Sequence, residues 1–273
     1  MVRALWTAAS GMIGQQTNVD TIANNLANVN TVAYKTEVNE FKSLLYQTIQ
    51  TKTTSANGEQ KPVGAQVGLG VRNAAIVSQY KQGALLDSES DTAFAINGEG
   101  FFGVRGEDGQ TYYTRNGNFV FSLNQGNTMT LATTDGLPVL TTNGTPITIP
   151  GTYMSNLIEV DTTGQLWYPD ANNNLQEIAG MKIGMYQFQN PSGLKKKGDT
   201  LYEVTAASGA ALNEATNAAL KKSEIRQGYL EGSNVQVADE MVNLIIAQRA
   251  YEMNSKAIQA ADTMMQEANE LRR

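Results

Sequence analysis

The chain has 273 residues, 41% of them hydrophobic, which is enough to bury a substantial core in one large or two modest domains. A formal charge of -6 at pH 7 argues against displacing phosphate counterions, so no nucleic-acid partner is expected. With no cysteine and no histidine, disulfides, thiolate and imidazole chemistry and the usual zinc sites are excluded.

The opening "MVRALWTAASGMIGQQ" has no continuous apolar run, and no window of the chain approaches the ~18 apolar residues of a membrane span. For the general secretory route this predicts a soluble cytoplasmic protein. Leu5, Met12, Val19 and Leu26 recur every seven residues, with a second row at Ala8, Ile22 and Val29 that is interrupted at Gln15. The spacing predicts an amphipathic helix over 4–30, about 38 Å long at 1.5 Å per residue. Its last turns carry Asn24, Asn25, Asn28 and Asn30, although asparagine is a poor helix former. Either these are a solvated face with a C-cap, or they hydrogen-bond between packed helices and fix their register. Thr31 and Val32 then favour extended chain.

Residues 50–85, rich in Thr, Gln, Gly and Ser, read as an extended connector. Beyond them the texture changes. Asn97-Gly98, Asp108-Gly109, Asn116-Gly117, Asp135-Gly136 and Asn143-Gly144 are turn signals, and they separate strand-like runs such as "FFGVRG", "TYYTR", "NFVFSL" and "TMTLAT". Further runs at "LIEV", "GQLWY" and "IGMYQFQ" complete an antiparallel β domain, and "AASGAALNEATNAAL" reads as the return path.

The C-terminal stretch opens with Ser233 and Gln236 at capping-box spacing, with Asp239 and Glu240 near the positive end of the helix dipole. Val237, Leu244, Tyr251, Ile258 and Met265 repeat every seven residues, flanked by Met241, Ala247, Ala261 and Ala268. This predicts a helix of about 35 residues, roughly 52 Å long. The fold class is therefore α+β: long N- and C-terminal helices form a paired coiled-coil-like module, with an antiparallel all-β domain inserted. The expected division is 1–49 with 226–273 as the helical polymerisation module, 50–85 as the connector, and 86–225 as the β domain.

A two-helix hairpin has little interior and leaves apolar surface in water, so identical pairs packing side by side would cover it. A contact between non-identical patches propagates as a helical filament unless it closes into a ring. The residues predicted to form this assembly interface are Leu5, Met12, Val19, Ile22, Asn24, Asn25, Leu26, Asn28 and Val29 from the first helix. The second helix adds Val237, Met241, Leu244, Tyr251, Ile258 and Met265.

Several long motifs in order, "LWTAASGMIGQQTNVDTIANNLANVNT", "AINGEGFFGV", "YYTRNGNF", "DGLPVL", "FQNPSGLKKKGDTLYEVTAASGA" and "GYLEGSNVQVADEMVNLIIAQRAYEMNSKAIQAADTMM", resemble the bacterial flagellar rod and hook proteins over most of the chain. Its length, single β region and "LLYQTI" stretch look most like the distal-rod branch, since hook proteins carry extra central domains. The resemblance implies a structural, non-catalytic subunit without cofactor, metal or catalytic residues. Its terminal helices would line a hollow tube that transmits torque. It also implies the partners: copies of the chain itself, proximal rod and hook subunits, the flagellar type III export apparatus, and bushing-ring proteins where the host has an outer membrane. Export through that channel without a cleaved signal replaces cytoplasmic residence, and an inner rod or hook subunit is the alternative within the family. Two departures stand out: Ala33 occupies a position where the family commonly has Gly, and 151–180 match loosely.

Other motifs read as decoys. Gly98 to Gly103 spells G-x-G-x-x-G but is followed by aromatic strand-like sequence and not by a phosphate-binding helix. Asp87, Glu89 and Asp91 lack the Gly and Glu of a calcium loop, and Ser192 to Lys195 lies in a Pro-Ser-Gly turn without partner motifs. A carbohydrate-acting enzyme on the β domain would need two convergent acids in a cleft, and no pair stands out.

Overall fold

A computed structural model describes residues 2–50, 64–124, 126–170 and 174–271. The fold is α+β, and the chain divides into two compact units: 1–27 with 37–79 and 236–273, and 28–36 with 80–235.

The first unit holds the two long helices, α1 (Val2–Ala27) and α2 (Val237–Glu270). It also holds two antiparallel ribbons, Glu37–Ser43 with Val71–Ser78 and Tyr46–Gln50 with Ala65–Gly68. Much of the expected connector is thus ordered strand, and residues 51–63 of it lie outside the described residues. The strand Val71–Ser78 escaped the sequence reading because only part of it is covered. "VRNAAIVS" therefore mixes small and polar residues with apolar ones in place of clean alternation.

The expected capping box does not form. Gln236 itself is the N-cap residue of α2 and makes no side-chain cap bond, while Ser233 Oγ accepts from Val235 N at 3.3 Å. Residues 233–235 stay extended because Asn234 Oδ1 accepts from both the amide and the hydroxyl of Thr36, each at 2.7 Å. Asp239 and Glu240 do occupy the first turn of α2.

The second unit is built on a six-stranded antiparallel sheet, in the order Lys195–Gly198, Leu201–Glu203, Thr111–Thr114, Phe101–Arg105, Met185–Gln187, Leu212–Asn213. Adjacent strand residues point to opposite faces, so "FF" and "YY" divide between two cores. Phe102, Val104 and Tyr112 join the larger cluster with Phe94, Ile96, Phe119, Leu131 and Ile149. Phe101 and Tyr113 join the smaller one with Phe188, Leu194 and Tyr202. Phe101 meets Phe188 edge to face at 5.4 Å, and Tyr113 meets Phe188 likewise at 4.9 Å.

Two three-stranded sheets cover the larger cluster. One has the order Thr148–Pro150, Thr128–Thr133, Phe119–Asn124, and the other Glu159–Val160, Gln165–Pro169, Leu175–Lys182. The turn dipeptides behave as their chemistry requires, with one informative exception. Gly109 and Gly144 sit at φ of 77°, whereas Gly117 is required for space: a Cβ there would lie 1.7 Å from the carbonyl oxygen of Phe94.

Residues 28–36 and 229–235 belong to this second unit. Ala33 takes φ of 59° although it is not glycine, and its amide donates to Glu231 O at 2.8 Å. Tyr229–Glu231 pairs with Leu85–Asp87, and Glu224–Gln227 with Phe94–Asn97. A buried ion cluster forms here that sequence reasoning missed: Glu231 accepts from Lys35 Nζ at 2.6 Å and Arg115 Nε at 2.9 Å. Burial, and then the neighbouring Arg115 charge, hold the Lys35 ammonium below its ordinary pKa, against the pull of Glu231.

Candidate assembly interface

All the candidate interface residues except Asn28 and Val29, which follow the end of α1, lie on α1 and α2, which pack against each other. Two contacts set their direction. A Cβ built on Gly11 would lie 2.9 Å from Asn254 Nδ2, and Asn25 Nδ2 donates to Glu240 Oε2 at 3.2 Å. As residue numbers rise along α1 they fall along α2, so the helices run antiparallel. The asparagine question finds its answer in Asn25. Besides Glu240, its side chain donates to Glu37 O at 2.8 Å and accepts from Glu37 N at 2.9 Å, joining both helices to the start of a strand. Asn28 instead accepts from Thr31 Oγ1 at 3.0 Å in the turn after α1.

The second side of α1 meets the longer ribbon. Gly14 is buried, and a Cβ there would stand 3.0 Å from the Phe41 ring. Ser10 Oγ accepts from Val71 N at 3.3 Å, beside Gly70. Glycine and serine here allow close approach of helix and strand, which explains why a helix this long tolerates such poor helix formers.

Within α1, Ile22 and Asn25 are buried, Leu5, Met12, Val19 and Leu26 are half-buried, and Asn24 is exposed. Asn28 and Val29 are half-buried beyond its end. In α2 the buried row includes Ala247 and Ala261, two flanks of the predicted heptad row. The buried residues are Glu240, Ala247 and Ala261, and with half-buried Asn254 they form a row repeating every seven positions. Leu244, Ile258 and Met265 lie beside this row half-buried, while Val237, Met241 and Tyr251 are exposed. The reason is size. Small and polar side chains let the helix axes approach, so the large heptad residues flank the contact instead of filling it.

A second apolar set was not anticipated. On α2, Val242, Ile245, Ile246, Met253 and Met264 are exposed, Met253 to 65%. On α1, Trp6 is 71% exposed and Ile13 66%. The run "LII" at 244–246 was the available signal, since three consecutive apolar residues on a helix point to more than one face. In the same unit Leu45, Tyr46 and Ile49, at the shorter ribbon, are exposed as well. Isolated exposed apolar residues are ordinary, but a set this dense marks a surface built to be covered.

In the second unit the polar groups of the sequence motifs are committed within the fold. The amides of Gly98 and Gly100 are taken by Gln82 Oε1 at 3.2 Å and Ser223 Oγ at 3.0 Å, and the strand Phe101–Arg105 follows, so no phosphate cradle forms. Buried Glu214 accepts from Ser223 N, Ser223 Oγ and Gln187 Nε2, which occupies both carboxylate oxygens within the fold. Lys195 to Lys197 form an edge strand, where charge discourages further pairing. Among the described residues no group of three or more acids could hold a metal ion, and no helix is long and apolar enough to cross a membrane.

Comparison with known proteins agrees with this layout. Residues 5–35 match the family described as flagella basal body rod protein, 95–168 the flagellar hook protein FlgE/F/G D1 domain, and 226–271 the flagellar basal body rod FlgEFG protein C-terminal. The chain is 43% identical to the flagellar basal-body rod protein FlgG of Borreliella burgdorferi, with all of both chains covered. It is 40% identical to FlgG of Agrobacterium fabrum over 96% of this chain and 97% of that one. Identity to FlgG of Bacillus subtilis is 36%, again over the whole of both chains. Two long helices with a β region between them, and an identity of this extent over full length, make the chain a member of the flagellar basal-body rod protein family.

Proposed function

We propose that the chain is a structural, non-catalytic subunit of the distal rod, assembling with copies of itself into a hollow helical tube that transmits torque from motor to hook. The observation that carries this reading is the exposed apolar set on α1 and α2, in a chain of the basal-body rod family. In a single copy that surface faces water. Neighbouring copies remove it from water, at about 25 cal/mol per Å² of apolar area buried. The α1–α2 pair acts as a coiled-coil-like stave: its row of Glu240, Ala247, Asn254 and Ala261 sets the internal contact, and the flanking and outward residues meet other copies. Proximal rod and hook subunits, the export apparatus and, where present, bushing-ring proteins are the further partners.

The test separates contacts between copies from contacts within one. Ile246→Asp alters an exposed position of α2, so the purified monomer should keep its helical content and melting behaviour while cells carrying it fail to build a rod past the variant subunit. Normal basal bodies and normal swimming with Ile246→Asp and Val242→Asp combined would refute the interface.

A further inference from the structure

Three segments distant in sequence meet around Glu231. From 28–36 come Lys35, at its carboxylate, and the Ala33 amide, at its backbone carbonyl, from 81–87 the Gly83 amide, at the carboxylate, and from 229–235 Glu231 itself with Asn234. Lys35 Nζ donates to Glu231 Oε1 at 2.6 Å and to Lys81 O at 2.8 Å, and Gly83 N donates to the same carboxylate at 2.9 Å. Arg115, reaching from the body of the unit, donates to Glu231 Oε2 at 2.9 Å and to Gly98 O at 2.7 Å. Asn234 fastens the outer layer, accepting from Thr36 N and Oγ1 and donating to Lys81 O at 3.1 Å. The fit is close: a Cβ on Gly83 would fall 2.0 Å from Gly232 O.

What holds these segments differs from what holds the rest of the unit. No described residue of 28–36, 81–87 or 229–235 belongs to either hydrophobic cluster, and their buried apolar side chains are Ala33 and Val235. Their attachment is therefore polar and centred on one carboxylate between two cations, all three side chains at most 2% exposed. Apolar clusters lose stability gradually as contacts are removed. A buried ion pair that loses a partner leaves a charge stranded in low dielectric. Such segments open as a cooperative piece of their own, below the free energy of global unfolding.

We propose that Lys35, Glu231 and Arg115 form a clasp that opens as a discrete sub-global step, freeing residues 28–36 and 229–235 while both hydrophobic clusters of the unit stay folded. Because α1 ends at Ala27 and α2 begins at Val237, the freed segments are those from which the two helices continue. Opening would thus give the chain ends freedom to reorder without dismantling the β unit. The proposal concerns a single chain and stands or falls independently of assembly.

Hydrogen exchange followed by mass spectrometry on the full-length monomer tests it, comparing Glu231→Gln with the unaltered chain. Amides of 31–36, 81–87 and 229–235 should exchange roughly a hundredfold or more faster, as expected for stranding two buried cations. Those of 101–105 and 128–133 should keep their protection. Replacing Lys35, Arg115 and Glu231 together by Met removes the stranded charge and should slow the three segments again by at least about tenfold relative to Glu231→Gln. The proposal is overturned if exchange in Glu231→Gln is unchanged, if it rises equally across the clusters, or if the triple variant stays as fast as the single one. Should Glu231→Gln fail to fold, Asn234→Ala, which loosens the same three segments without removing charge, decides by the same pattern. Acceleration confined to those segments supports the clasp, and a uniform rise or no change rejects it.

Discussion

Ala33 sits at φ of 59°, fully buried, with its amide committed to Glu231 O. A side chain in the left-handed region costs about 1–2 kcal/mol, because Cβ crowds the following carbonyl. Glycine escapes that crowding but gives up roughly 0.5–1 kcal/mol more chain entropy on folding. The crowding term is the larger, so Ala33→Gly should stabilise the second unit by a few tenths to about 1 kcal/mol, read as a higher urea midpoint at unchanged slope. A lower midpoint would mean that the buried methyl is worth more than the strain it brings. The residue also shows what sequence could and could not reveal. Alanine in place of the family's usual glycine was visible as a departure, but its backbone conformation was not. The backbone keeps the glycine-like conformation because the amide is anchored to a residue 198 positions away, a distance that no local pattern reports.

Among the elements, both helices and seven of the strands were legible, since heptads and aromatic alternation are direct images of one-sided burial. The side of α2 that is buried was not. Hydrophobicity favours the row of Leu244, Tyr251, Ile258 and Met265, yet the more deeply buried row is Glu240, Ala247, Asn254 and Ala261, whose virtue is small size or a hydrogen bond. The strand Val71–Ser78 was illegible for a related reason, because Gly14 and Ser10 of α1 approach it and its own residues are only partly buried. Asn25 ties these elements together, so its loss should be felt across the first unit. Asn25→Ala removes the donor to Glu240 and leaves the amide and carbonyl of Glu37 without their side-chain partner. Unsatisfied buried groups cost about 1–3 kcal/mol each, which sets the expected loss at roughly 2 kcal/mol or more. Thermal melting of the helical circular dichroism signal should show it, and an unshifted melt would mean that water replaces the amide at no cost.

Over the whole molecule, the sequence reading and the fold divide the chain differently, and the difference has a physical content that a fragment can expose. Composition and turn spacing assigned 86–225 to the β domain, which leaves out Lys35, Gly83 and Glu231. Such a fragment retains Arg115 but removes its carboxylate partner, and it also loses the strand Tyr229–Glu231 that pairs with Leu85–Asp87. The compact unit instead comprises 28–36 with 80–235. Its two pieces come together closely enough to be spliced: Lys35 Nζ reaches Lys81 O, and Asn234 bridges Thr36 and Lys81, so a short Gly-Ser linker can join 36 to 80. Both hydrophobic clusters lie wholly inside this fragment. It should therefore show a main cooperative transition in urea with the near-ultraviolet signature of packed Tyr113 and Phe188 rings, and 86–225 should keep that signature at a lower midpoint, because Arg115 has lost its carboxylate partner. Exchanging Arg115 for Met in the shorter fragment removes the stranded cation and should recover part of the midpoint, which identifies charge as the missing ingredient rather than chain length alone. Equal midpoints in the two fragments would show that the terminal segments are ornaments on the β unit and not part of it.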